Sequence, residues 1–115
     1  MTLNEMQSLL KLRSVVEVTD ASKVVEGCYA SDMLSWVMAH AKENQVWITI
    51  QSHQNIVAVA SLLNLAAIIV AEDVEIDENT SAKAIQEGIP LYSSKMSICE
   101  LCGILYNALP GRDRC

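Results

Sequence analysis

The run Ala67-Ile68-Ile69-Val70 is apolar at every position, and three of its four residues are β-branched. A strand with one wet face alternates apolar and polar residues. A strand with no alternation has to be covered on both faces, as in the interior of a parallel sheet. Its surroundings agree. Val46 to Ile50 reads as a strand, and Gln51 to Asn55 is a polar break. Ile56, Val59, Ala60 and Leu63 recur at i, i+3, i+4 and i+7, which predicts a mostly buried helix over 56–65. Residues 78–87 predict a further helix, ended by Gly88 and Pro90, and Leu91-Tyr92 is a short strand. Ser97 opens the last helix, whose stripe is Ile98, Leu101, Cys102, Leu105 and Leu109, with Pro110-Gly111 as its stop. Strand and helix therefore alternate from residue 46 onward. With right-handed crossovers this predicts α/β architecture: three layers, α/β/α, around a largely parallel, mixed sheet.

The first part of the chain adds to this frame. Thr2 to Glu5 has the form of a capping box, which predicts a short helix over 3–12 with Leu3, Met6, Leu9 and Leu10 on its docking face. Residues 14–19 and 23–29 read as two strands around a turn at 20–22. Ser31 is placed to cap the next helix, with Asp32 at its positive end and Leu34, Val37, Met38 and Ala41 as its apolar stripe. The expected organisation is an N-terminal helix in 1–13, one α/β domain over 14–109 and a tail over 110–115.

Charge and composition narrow the function classes. With 8 basic against 14 acidic residues the chain carries a net charge of -6. That balance repels phosphate backbones and anionic lipid, so neither nucleic acid nor membrane is an expected partner. The apolar stretch 56–71 is shorter than the roughly 20 residues a spanning helix needs. No signal-like segment opens the sequence, so a cytoplasmic location with reduced thiols and no disulfides is expected. Glycines at 27, 88, 103 and 111 cannot spell a phosphate loop or a dinucleotide fingerprint. Kinase or dehydrogenase chemistry is not expected.

In open α/β sheets ligands bind beyond the carboxyl ends of the strands, which directs attention to the loops 51–55, 71–73 and 93–95. Gln51, Ser52, His53, Asn55, Glu72 and Ser93 are the candidate ligand-binding residues. His53 is the most suggestive of them, lying just past a strand and just before a helix whose free N–H groups attract anions. The plainer reading is that Ser52 or Asn55 caps that helix and His53 is simply exposed.

Cys99 and Cys102 have the CxxC spacing of redox pairs and zinc half-sites, but Cys28, Cys115, His40 and His53 supply no second knuckle. Two small apolar residues on a core helix is the simpler account, and no metal or cofactor is expected. The acidic run from Glu72 to Glu78 lacks the central glycine and ligand spacing of a calcium loop and reads as solvated. Trp36 and Trp47, with Met33 and Met38, are either core or an apolar contact for a second copy.

The segments GCYASDMLSWVM at 27–38, VWITIQSHQNIVAVA at 46–60, AIIV at 67–70 and GIPLY at 88–92 together resemble the DRTGG domain family. The resemblance covers residues 14–109. That family is similar to the N-terminal domain of HPr kinase/phosphorylase, and the resemblance implies a fold of the HPr-kinase and MurF N-terminal type. It also implies a bacterial or archaeal regulatory module that self-associates and senses a ligand or regulates a partner. The family's Asp-Arg pair would fall near residues 53–55 and its Thr-Gly-Gly near 71–73, where this chain has other residues. The expected function is a non-catalytic regulatory or ligand-sensing module, a homodimer or higher homo-oligomer, with a small molecule or a protein as partner. A redox or metal-linked protein using Cys99 and Cys102, or a purely structural interaction subunit, are the alternatives.

Overall fold

A computed structural model describes residues 1–16, 20 and 22–109. Among them lie five strands: β1 (Arg13–Val16), β2 (Gly27–Ala30), β3 (Gln45–Thr49), β4 (Ala67–Val70) and β5 (Leu91–Ser93). They form one sheet in the order β1-β5-β4-β3-β2. The pairs β2·β3, β3·β4 and β4·β5 are parallel, and β1 runs antiparallel to β5. The helices are α1 (Leu3–Leu10), α2 (Leu34–His40), α3 (Asn55–Leu63), α4 (Glu78–Glu87) and α5 (Ile98–Ala108). The three-layer α/β/α arrangement with a mixed sheet is the one expected from the alternation of elements.

Each strand feeds two cores because successive side chains leave opposite faces. On one face Val46, Ile48, Ala67, Ile69 and Tyr92 pack against Leu3, Met6 and Leu10 of α1 and Leu101 and Leu105 of α5. On the other, Trp47, Ile68, Val70 and Leu91 meet Val37, Ile56, Val57, Ala60 and Ala84 from α2, α3 and α4. β4 has no polar position because both of its faces are spoken for. α1 is integral to the first core, with Leu3, Met6 and Leu10 fully buried and its capping box formed between Thr2 and Glu5. α4 ends at Gly88, whose φ of 69° is the left-handed conformation glycine accepts at no steric cost.

Several local expectations are corrected. The strand expected over 23–29 begins only at Gly27, with Val24 held by an isolated antiparallel bridge to Thr2. The strand before it in sequence, β1, is described to Val16, and residues 17–19 of the expected strand lie outside the described residues, as does the expected tail 110–115 with its Pro110-Gly111 stop. Ser31 does not cap α2: the N-cap is Met33, without a side-chain cap. The Ser31 hydroxyl instead accepts from Met33 N–H, and Asp32 Oδ1 accepts from Thr49 Oγ1 at 2.7 Å and Ile50 N–H at 2.9 Å. The carboxylate is better used tying the end of β3 to the β2–α2 connection than beside a weak helix dipole. Met38, expected in the stripe of α2, is exposed, because α2 covers the second core with Val37 alone fully buried. Among the described residues no helix is long and apolar enough to cross a membrane.

Tyr92 is fully buried, and its hydroxyl has no hydrogen-bond partner among the described residues. Burial pushes its pKa above the ordinary tyrosine value. Removing an unpaired buried hydroxyl relieves a desolvation cost, so Tyr92→Phe is expected to leave stability unchanged or raise it by up to about 1 kcal/mol at pH 7. Above a pH of about 10 the unfolded chain ionises this phenol while the folded chain does not, so the wild type loses stability as pH rises further. Urea midpoints for both proteins between pH 8 and 11 check this: the gap in favour of Tyr92→Phe should widen at the alkaline end.

Candidate functional site

Because β2 to β5 are parallel, their carboxyl ends share one edge of the sheet, and the loops that follow them form a single rim. Backbone hydrogen bonds knit it together. Ala71 N–H donates to Thr49 carbonyl at 2.8 Å, Ser94 N–H to Val70 at 3.0 Å, Asp73 N–H to Ser94 at 2.8 Å and Glu72 N–H to Met96 at 2.9 Å. Glu72 and Asp73 hold φ values of 62° and 56°. The two consecutive left-handed residues fall where the resemblance puts a glycine pair, and here side-chain-bearing residues adopt the conformation, held by the bonds to Met96 and Ser94.

The candidates read from the sequence divide into two groups. Gln51 and His53 are exposed on the loop after β3, and Asn55 is exposed at the start of α3. Gln51 Nε2 donates to the Asp32 carbonyl at 3.2 Å, and His53 Nδ1 accepts from Asn55 N–H at 3.4 Å. His53 thus serves the first turn of α3, whose N-cap Gln54 makes no side-chain cap bond. Ser52 offers its carbonyl to Thr80 Oγ1 at 2.6 Å, tying this loop to the start of α4. Glu72 lies one strand away, on the loop after β4, and Ser93 two strands away, at the end of β5. The Glu72 carboxylate accepts from Ile98 N–H at 3.5 Å, at the start of α5.

A small cavity of about 240 Å³ opens at this second group, lined by Leu10, Lys11, Arg13, Asp73, Ser93, Ser94, Lys95 and Met96. Ser93 is 5% exposed, and its hydroxyl has no hydrogen-bond partner among the described residues. Arg13 stands directly opposite it in the antiparallel β1·β5 register. Lys11, Arg13 and Lys95 are functional candidates the sequence reading missed. They come from the end of α1, the start of β1 and the loop after β5, and no spacing rule joins them. The available signal was weak: a Lys-x-Arg pair between a capped helix and a strand.

Cys99 lies exposed in the first turn of α5, and Cys102 is part-buried one turn further on. The expectation that both are core residues fails for Cys99, which faces away from Leu101 and Leu105. Burial, and then the neighbouring Cys99, push the Cys102 thiol pKa up. Cys28 corrects the expectation of four reduced thiols: it is disulfide-bonded. Pairing depends on proximity in the folded chain, which cysteine spacing in the sequence does not reveal. Cys28, Tyr29 and Ala30 of β2 face Cys102, Gly103 and Tyr106 of α5 across an apolar cavity. The thiolate is the reactive species, so iodoacetamide at pH 8 is expected to modify Cys99 well before Cys102, by at least about tenfold in rate. Peptide mass spectrometry of a time course reads the order directly.

The sequence matches no model of a protein family and no curated protein. Among solved structures the chain is similar to the CBS and DRTGG domains of the regulatory region of Clostridium perfringens pyrophosphatase, determined with its activator diadenosine tetraphosphate. The TM-score is 0.77 at 15% sequence identity, over 95% of this chain and 47% of that one. This chain therefore spans about half the length of that structure. The likeness shows an α/β fold shared with part of that regulatory region, the fold class expected from the sequence.

Proposed function

We propose that this chain is a non-catalytic regulatory module that binds a small molecule at the rim and self-associates, working in the cytoplasm of a bacterial or archaeal cell. The observation that carries the reading is the cavity at the carboxyl ends of β4 and β5, in a fold shared with part of a regulatory region solved with its nucleotide activator. Among the described residues that cavity holds a mostly buried serine and three cations without ion pairs, and no nucleophile is hydrogen-bonded to a general base there, which suits binding rather than turnover. The Ser93 corner, rather than the loop around His53, is the better ligand site, because His53 is engaged in its own helix start.

A thermal-shift panel of nucleotides, phosphorylated sugars and amino acids tests the reading. At least one compound at a hundredfold excess over its Kd should stabilise the protein by about 2.7 kcal/mol, a shift of several degrees. Retention of that shift in His53→Ala places the ligand at the Ser93 corner, and loss places it on the loop 51–55. Silence across the whole panel would reject a ligand-sensing role.

Self-association is supported by the outer face of α2. Trp47 is fully buried, its indole N–H donating to the Ser31 carbonyl at 2.8 Å, whereas Trp36, stacked on His40 with ring centroids 4.1 Å apart, is 52% exposed, and Met33 three positions before it is exposed as well. An exposed Trp with a Met one turn away, on the helix that follows the edge strand β2, suits contact with a second copy. Light scattering behind size exclusion should give a dimer or larger species for the wild type. Trp36→Ser is expected to raise the dissociation constant at least about tenfold, as loss of a central aromatic anchor does. A monomer at all concentrations would refute this part of the proposal.

A further inference from the structure

Three of the chain's 8 basic residues, Lys11, Arg13 and Lys95, surround the small cavity at the end of β5. In a protein of net charge -6 such a gathering runs against the average field. The one carboxylate on the cavity wall is Asp73, so the local balance is three positive groups against one negative. Among the described residues none of the three cations forms an ion pair; the sole salt bridge there, Lys83 with Glu87, lies on α4. Three cations facing one carboxylate leave the corner net positive, and an anion entering the cavity neutralises that excess.

The geometry adds a second, independent sign. Ser93 is more than nine-tenths buried and lines the cavity, yet its hydroxyl has no hydrogen-bond partner among the described residues. Buried polar groups are normally hydrogen-bonded, so a buried serine left open on a cavity wall is a donor in want of an acceptor. Arg13 is its cross-strand partner in the antiparallel pair. Directly opposed residues project from the same face with Cβ atoms about 5 Å apart, which roots Arg13 and Ser93 side by side on the sheet. The scaffold beneath is fixed. Asp73 N–H donates to the Ser94 carbonyl at 2.8 Å, Met96 N–H donates to Ser94 Oγ at 3.0 Å, and Lys11 closes α1 in the left-handed conformation.

We propose that this corner binds a phosphoryl group carried by a small molecule, with Arg13 as the bidentate donor, Ser93 as a neutral donor and Lys11 and Lys95 as flanking charges. The inference rests on the small-molecule reading above and names its chemistry. A local excess of two positive charges matches a phosphoryl dianion better than a single carboxylate, and the Arg fork fits two of its oxygens. A volume of about 240 Å³ is below the usual range of about 300–1,000 Å³ for whole small-molecule sites. It accommodates a phosphoryl or pyrophosphoryl group and leaves any attached nucleoside or sugar outside the cavity. Asp73 on the same wall opposes binding of the more highly charged forms and tempers the affinity.

Isothermal titration of the 115-residue chain at low salt, with inorganic phosphate, pyrophosphate, AMP, ADP and adenosine as separate probes, tests the proposal. Phosphate-bearing probes should bind and adenosine should not. Arg13→Gln and Lys95→Gln should each weaken binding by about tenfold, Arg13→Lys by less, and Ser93→Ala by a few-fold. Lys83→Gln should have no effect. Arg13 and Lys95 are exposed, so their variants keep the core intact, and matching thermal melts verify it. Pyrophosphate binding as tightly as ADP identifies a free anion as the ligand; tighter binding of ADP identifies a nucleotide. Absence of heat from every phosphate-bearing probe would overturn the phosphoryl site, as would equal losses in Lys83→Gln and Arg13→Gln. A response in the metabolite panel confined to uncharged compounds would overturn it too, while leaving the regulatory reading in place.

Discussion

Burial of β4 on both faces is the constraint around which the rest of this molecule is arranged. A four-residue strand with no polar side chain is stable only if helices cover it above and below, and here α1 and α5 supply one cover while α2, α3 and α4 supply the other. The parallel pairing of β4 with β3 and β5 requires crossover helices, and α3 and α4 deliver the cover on one face, while the terminal helices α1 and α5 close the other. Sheet direction and the shared rim at the carboxyl ends therefore share one cause.

The rim illustrates how backbone geometry outlasts side-chain identity. Residues 72 and 73 adopt left-handed backbone without glycine, at a cost of about 1–2 kcal/mol each. Hydrogen bonds from their amides to Met96 and Ser94 hold them there and pin the loop after β5 in place. The Asp73 side chain shares its cavity wall with cations that arrive from α1, β1 and the loop after β5.

Surface and core are separated sharply in this chain. Trp47 and Trp36 are eleven positions apart, yet the first is sealed in the second core and the second stands in solvent, because β3 is interior while α2 flanks the sheet edge. The same contrast runs through α5, where Leu101 and Leu105 are buried and Cys99 is not. A helix on the outside of a sheet has one dry stripe, and a cysteine off that stripe is chemically available whatever its spacing to the next.

The sequence by itself determined the architecture. The continuous apolar run at Ala67 to Val70, the period of α3 and α5, the capping boxes at Thr2 and Ser97 and the stop at Gly88 are local signals, carried by residues within a few positions of each other. The rim was legible for the same reason, since its loops follow from strand order. Tertiary structure alone decided which rim loop holds a cavity and what charges line it. β1 folds back antiparallel beside β5, so Arg13 and Ser93, eighty positions apart, become partners, and α1 brings Lys11 to the same wall. The use of Asp32 to hold Thr49 and the pairing of Cys28 were likewise hidden. Long-range pairing is fixed by how whole elements bury their apolar faces together, and no window of neighbouring residues records it.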